Sequence, residues 1–376
     1  MLKIFVTGDN HIGLKYSSHP EAERLKGARI SAFDDMVETA NSENCNLFVI
    51  TGDLFENTYG VTKKEIQTLL DMLSKFKGTV VVLPGNHDYY EKDTKVWQYF
   101  KDVMDKKDNI MLLTDYRPYN LTVGEEGVIL YPALCKSEHS ASGENNLGWI
   151  KEQNIVPDST YRIGIAHGAV EGETIDNEGV YFFMKRKELE AIPVDAWLIG
   201  HTHVPFPAFL KTDEYTVGEK IFNAGTHVQT DVACNTEGYC FIIEITEKKQ
   251  VRAKKVISGN LRFYRKNIAL KAGEMKSILE HELAEIGDNS VVDIILSGAV
   301  TAEEYDSRKE IIDGCIERFT EHTYSDSGLS KLITKQIIEA EFPETSLSAK
   351  LLNGLIDEPK EAQLMYELLK SLKAGR

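Results

Sequence analysis

Seven side chains able to bind a metal stand directly after apolar, β-branched runs. Asp9 and His11 follow Leu2-Lys3-Ile4-Phe5-Val6-Thr7, and Asp53 follows Leu47-Phe48-Val49-Ile50-Thr51. Asn86 follows Thr79-Val80-Val81-Val82-Leu83. His167 follows Tyr161-Arg162-Ile163-Gly164-Ile165-Ala166, and His201 and His203 follow Asp195-Ala196-Trp197-Leu198-Ile199. A single Asp after Gly reads as a turn residue, and a single His at a strand end reads as structural. As a set at the ends of successive buried strands, these groups cost stability unless they are paired or bind metal. Open α/β sheets collect ligands at that carboxyl edge. Two carboxylates, one amide and four imidazoles suit two adjacent first-row ions. Manganese leads, and Mg, Fe, Co, Ni or Zn are the alternatives. A carboxylate between two ions fixes them roughly 3.5–4 Å apart, a spacing suited to phosphoryl oxygens. Next to Asn86, His87 can ligate or donate a proton.

The elements that position these groups follow from periodicity. Residues 2–7, 47–51 and 79–83 read as strands. Helices over about 28–43 (Ile30, Phe33, Val37, Ala40) and 62–76 (Ile66, Leu69, Leu70, Leu73) separate them, which indicates a parallel sheet covered on both faces. After a helix near 94–105, short strands are expected near 110–113, 119–123, 128–131, 161–166, 195–199, 206–210, 220–224, 239–245 and 250–257. The economical arrangement is an α/β fold with two mixed sheets packed face to face and helices outside. From 259 a strand–helix–strand–helix–strand unit is expected: 261–270, 274–286, 291–296, 303–319 and 332–340. Two helices, 346–356 and 360–373, follow, with apolar stripes of Leu351, Leu352, Leu355, Ile356 and of Leu364, Leu368, Leu369, Leu372. The expected domains are therefore 1–258, 259–342 and 343–376.

With 376 residues, 42% apolar and 27% charged, the chain has room for a sizeable core. No apolar stretch reaches the roughly 20 residues of a membrane helix. Met1-Leu2-Lys3-Ile4 enters a strand directly, which reads as a chain without a signal peptide. Cys45, Cys135, Cys234, Cys240 and Cys315 form no C-x-x-C pair, which fits reduced thiols in a cytoplasmic protein. A net charge of −16 excludes bulk electrostatic gripping of nucleic acid but leaves room for a local basic surface. Lys254, Lys255, Arg262, Arg265 and Lys266 lie in the most basic stretch, readable either as a solvated strand face or as a phosphate track.

In order along the chain, Asp9-x-His11, Gly52-Asp53, Gly85-Asn86-His87-Asp88, His167 and Gly200-His201-Thr202-His203 resemble the five motifs of calcineurin-like metallophosphoesterases. Gly52-Asp53-Leu54-Phe55, Gly200-His201-Thr202-His203-Val204-Pro205 and the added small domain look most like the SbcD-type nucleases of double-strand-break repair. The resemblance implies phosphodiester hydrolysis by a two-metal mechanism. It assigns Asp9, His11, Asp53 and His203 to one ion, and Asp53, Asn86, His167 and His201 to the other, with Asp53 bridging. It also makes His87 the proton donor or charge stabiliser at the leaving oxygen. Asp88 then either orients His87 or caps a turn. Many nucleases of this group carry a second active-site histidine where this chain has Glu56. The resemblance further implies a DNA substrate, a capping domain, a homodimer, and an SMC-like coiled-coil ATPase of the SbcC type bound through the C-terminal helices. Those helices could instead pack on the body. The competing readings are hydrolysis of a small nucleotide or phosphoester, and a DNA-end bridging subunit without catalysis.

Overall fold

The structure is a computed structural model that describes residues 1–374 except 157, 174, 175, 177 and 235. The chain divides into two compact units, Met1–Leu261 and Arg262–Arg376. In the first, β1 (Leu2–Thr7), β2 (Leu47–Ile50), β3 (Thr79–Val82) and β4 (Ile110–Leu112) pair in parallel. Successive side chains of a strand face opposite ways, and both faces here are apolar. Leu47 and Val49 pack with Val6 and Ile163, whereas Phe48 and Ile50 pack with Phe33, Leu69 and Trp97. The crossovers α1 (Ala22–Ser42), α2 (Lys63–Leu73) and α3 (Lys95–Met104) supply that second face. Helix α2 starts at a capping box of Thr62 and Glu65 and buries Ile66, Leu69, Leu70 and Leu73 along one stripe.

The chain continues through β5 (Tyr119–Val123), β6 (Glu126–Ala133), α4 (Gly148–Lys151), β7 (Tyr161–His167), α5 (Arg186–Ala191) and β8 (Ala196–Gly200). It closes with β9 (Thr216–Val217), β10 (Ile221–Phe222), β11 (Tyr239–Ile245) and β12 (Val251–Ile257). One sheet runs β4-β3-β2-β1-β11-β12-β9 and the other β10-β8-β7-β6-β5. Their inner faces share a core that includes Ile4, Val81, Leu130, Ile165, Leu198 and Ile243. Outside the second sheet, Leu147, Ile150 and Leu189 of the α4 and α5 regions pack on Trp197 and Ile199. This is the two-sheet α/β architecture expected from the sequence. The strand expected over 206–210 is replaced by a single bridge between Phe206 and Asn223. Pro205 and Pro207 withhold the donors that a longer ladder needs.

The second unit begins with β13 (Arg262–Lys271), α6 (Met275–Leu283), β14 (Ser290–Val300), α7 (Ala302–Asp306), α8 (Arg308–Ile316) and β15 (Glu321–Lys331). Its sheet is parallel, in the order β13-β14-β15. The helix expected over 303–319 breaks at Ser307, and the strand expected at 332–340 lies instead at 321–331. Exposed Thr323, Ser325 and Ser327 give β15 a polar outer face that hides its strand character. Residues 335–341 form α9 (Lys335–Glu341), because Thr334 caps it by accepting from the Ile337 N–H. Helices α10 (Leu347–Gly354) and α11 (Pro359–Ala374) complete the unit. No helix among the described residues is long and apolar enough to cross a membrane.

Candidate metal centre

The parallel strands β1, β2, β3, β7 and β8 deliver their carboxyl ends to one place in the first unit. His11 Nε2 lies 3.0 Å from His203 Nε2 and 3.9 Å from Asp53 Oδ2. His167 Nε2 lies 2.9 Å from Asn86 Oδ1 and 3.2 Å from the same Asp53 Oδ2, and His201 Nδ1 is 3.0 Å from Asn86 Oδ1. Asp53 Oδ2 therefore borders both groups. Asp9 Oδ1 accepts from the His201 backbone N–H at 2.8 Å, while its buried Oδ2 has no hydrogen-bond partner among the described residues. An orphaned carboxylate oxygen, two imidazole nitrogens facing each other and a shared carboxylate oxygen form a donor set that cations satisfy. The ligand atoms of Asp9, His11 and His203 lie within 4.8 Å of one another, as do those of Asp53, His167 and His201. Asn86 completes the second group.

The loops are strained into this arrangement. Asp9, His11, Asp53 and His201 have φ of 48°, 46°, 50° and 113°, which non-glycine residues rarely adopt. Backbone bonds from Asp9 N to Gly52 O, His11 N to Asp53 O and Ile12 N to Leu54 O hold the first two loops in register. Two glycines are obligatory. A Cβ on Gly52 would stand 2.2 Å from His167 Nδ1, and one on Gly85 would stand 2.2 Å from Asp53 Oδ1.

Partners on the far side of each ring choose which nitrogen faces inward. His167 Nδ1 bonds Thr51 O at 2.9 Å and His11 Nδ1 bonds Glu56 Oε2 at 2.9 Å, leaving both Nε2 atoms for the centre. The residue that stands in place of a second histidine thus orients a ring already present. Its carbonyl also bonds His87 Nδ1 at 3.1 Å. His87 is exposed at the rim, 4.9 Å from the His11 ring, with its backbone N–H on Asp53 Oδ1. Of the two readings of Asp88, the turn cap fits its bonds and the orienter of His87 does not. Its oxygens accept from Gly85 N at 2.6 Å and Phe55 N at 3.0 Å, tying the Asp53 loop to the Asn86 loop. Both oxygens serve backbone donors, which places Asp88 in the scaffold. Tyr181, unmarked by any sequence signal, packs 5.1 Å from His201 at an interplanar angle of 31°.

Burial and mutual charge set the protonation of the metal-free centre. Burial alone depresses His167, yet the nearby Asp53 carboxylate outweighs it and raises the ring to about 9. His11 is likewise pulled down by burial and raised on balance, chiefly by its bond to Glu56. Burial pushes Asp53 up, but His167 holds it well below the usual carboxylate range. Burial, with the His167 charge, lowers His201 to about 4, and burial also lowers His203. Asp88 rises to about 7 through burial and the Asp53 charge.

The basic residues read as a DNA surface divide between the units, and Lys254, Lys255 and Arg265 have partners of their own. Lys254 Nζ bonds Glu43 at 2.8 Å and Lys255 Nζ the Ala208 carbonyl at 3.3 Å. Arg265 pairs with Asp293 at 2.8 Å, Arg262 opens β13, and Lys266 lines a cavity of about 590 Å³ with Tyr264 and His281.

Residues 2–205, more than half of the chain, match the calcineurin-like phosphoesterase family, and the protein belongs to that family. Similar solved structures include a dimetal phosphatase from Danio rerio, at 8% identity over 69% of this chain and 99% of that one, with a TM-score of 0.38. Another is the purple acid phosphatase PPD1 from yellow lupin (Lupinus luteus) seeds, at 10% identity over 64% of this chain and 49% of that one, with a TM-score of 0.36. The protein is thus a metal-dependent phosphoesterase whose family holds two divalent ions. When bound, such ions polarise a phosphoryl oxygen and lower the pKa of water. Asp9, His11 and His203 would hold one, Asn86, His167 and His201 the other, and Asp53 would serve both.

Proposed function

We propose that the protein is a manganese-dependent DNA nuclease that cuts phosphodiester bonds in double-strand-break repair together with an SMC-like coiled-coil ATPase. The observation that carries this reading is the leucine row on α11. Leu364, Leu368 and Leu372 are 68%, 53% and 62% exposed at a spacing of four residues. The other side of α11 is already in use, since Ala362, Met365, Tyr366 and Leu369 pack with Ile338, Phe342 and Leu352. A leucine row outside a packed helix suits helix-in-groove recognition by a partner. The motifs shared with SbcD-type enzymes point the same way, and the partner is accordingly of the SbcC type. At the rim, His87 is the group that protonates the leaving sugar oxygen, held by the Glu56 carbonyl.

A second reading, hydrolysis of a small nucleotide or phosphoester, draws support from the charge. With −16 overall, and with two of the five basic residues, Lys254 and Arg265, already paired with carboxylates, the expected phosphate track is weakened. Linear duplex DNA and a chromogenic phosphodiester, assayed with manganese and with and without the ATPase, separate the two. Cleavage of DNA that Leu364→Glu/Leu368→Glu uncouples from the ATPase supports the first. Activity on the small ester alone, even with the ATPase present, replaces it with the second.

A further inference from the structure

Arg29 sits in the middle of α1 at 1% exposure. Among the described residues its guanidinium meets only neutral oxygens. Nε and Nη2 both donate to the Asn10 carbonyl, at 3.1 and 2.7 Å. Nη1 donates to the carbonyls of Val228 and Gln229, at 2.9 and 3.1 Å, and to the Tyr16 hydroxyl at 3.4 Å. Nη2 also reaches Thr226 Oγ1 at 3.2 Å. Burying a cation with no carboxylate in hydrogen-bond contact carries a desolvation penalty that neutral acceptors only partly offset. An aliphatic residue would serve the packing of α1 better, so the charge and the fork need another explanation.

The placement of its acceptors supplies one. Asn10 lies between Asp9 and His11, the two centre residues at φ of 48° and 46°. Left-handed backbone at non-glycine positions is strained and persists only where neighbours over-determine it. The two donors on the Asn10 carbonyl fix the Asn10–His11 peptide, in the short turn between these two residues. At the other end of the fork, Thr226 bridges Gly8 and donates its N–H to the His203 carbonyl at 3.4 Å. The same side chain therefore touches the backbone between Asp9 and His11 directly and is linked through Thr226 to the His203 carbonyl, so it reaches all three groups assigned to one ion.

We infer that Arg29 is a positioning residue of the metal centre, whose forked, buried guanidinium sets the geometry of the Asp9–His11–His203 group from behind. The inference concerns the centre itself and stands whichever phosphoester is cleaved. A residue that merely ties α1 to the 226–229 loop would support folding and leave the two ion sites alike.

The test compares the full-length wild type with Arg29→Lys, which keeps the charge and loses the fork, and Arg29→Gln, which keeps donors and loses the charge. Manganese affinity is read by calorimetry, the ion pair by the exchange-coupled Mn(II) spectrum in electron paramagnetic resonance, and folding by thermal melting in chelator. In Arg29→Lys one of the two ions is expected to bind about 10–100-fold more weakly. The coupled spectrum should give way to that of isolated manganese at one-to-one loading, while the other ion keeps its affinity. Arg29→Gln should show the same selective loss. Two wild-type affinities with an intact coupled spectrum in Arg29→Lys overturn the inference. So does loss of both ions in parallel with the folded state, since the side chain is then a strut of the fold.

Discussion

Protons occupy the places that the ions would take, and this makes metal binding steeply dependent on pH. His167 is raised to about 9 because the Asp53 carboxylate, 3.2 Å from Nε2, outweighs its burial. At pH 7, below that value, the ring carries a proton on the nitrogen an ion needs. Below the raised pKa each unit of pH increase makes that proton easier to displace, so the apparent affinity of that ion rises toward pH 9, by up to about tenfold per unit. His11, also raised, gives the ion it would hold a dependence of the same sign, whereas His201, lowered to about 4, adds nothing in this range. Chelator competition with manganese from pH 6.5 to 9, with calorimetry in buffers of different ionisation heat, counts the protons released. At least one per ion pair is expected at pH 7. A flat affinity profile with no proton release would refute this reasoning.

Three substitutions probe the rest of the centre. His87→Ala should lower kcat on phosphodiesters about 10²–10⁴-fold with ion stoichiometry unchanged, as measured by steady-state kinetics and metal analysis. Gly85→Ala places a Cβ 2.2 Å from Asp53 Oδ1. Melting should show a loss of about 1–3 kcal/mol, with fewer ions retained after gel filtration. Glu56→Ala frees His11 Nδ1 and should weaken manganese binding about 10–100-fold, with partial recovery in Glu56→Gln, whose amide oxygen still accepts from Nδ1.

The centre was legible because its strands are buried on both faces. Runs such as Val80-Val81-Val82-Leu83 advertise themselves by composition, and the polar residues that follow them stand out. What the side chains of the loops touch was not legible. Glu56 reaches His11 across 45 positions and Asp88 reaches the Phe55 N–H across 33, neither of which spacing encodes. Lys254 read as part of a basic run because its partner, Glu43, lies 211 positions away just beyond α1. Strand β15 is hard to read from sequence because its exposed face is serine and threonine, and the stretch expected as a strand at 332–340 contains the Thr334 cap of α9. On α11 the leucine pattern was visible, but which leucines turn inward depends on Phe342 and Leu352 packing beneath them. Arg29 carries no motif at all, and its position emerges only where α1 passes behind the Asp9 loop.

The central claim is that phosphoester hydrolysis runs on ions held around Asp53. It is tested most directly by measuring manganese stoichiometry and hydrolysis of a chromogenic phosphodiester on the same samples of wild type and Asp53→Asn. Two ions per chain in the wild type, activity abolished by chelator, and loss of both ion pair and activity in Asp53→Asn are expected. Hydrolysis that survives chelation, or an Asp53→Asn protein that keeps two ions and wild-type turnover, would contradict the account.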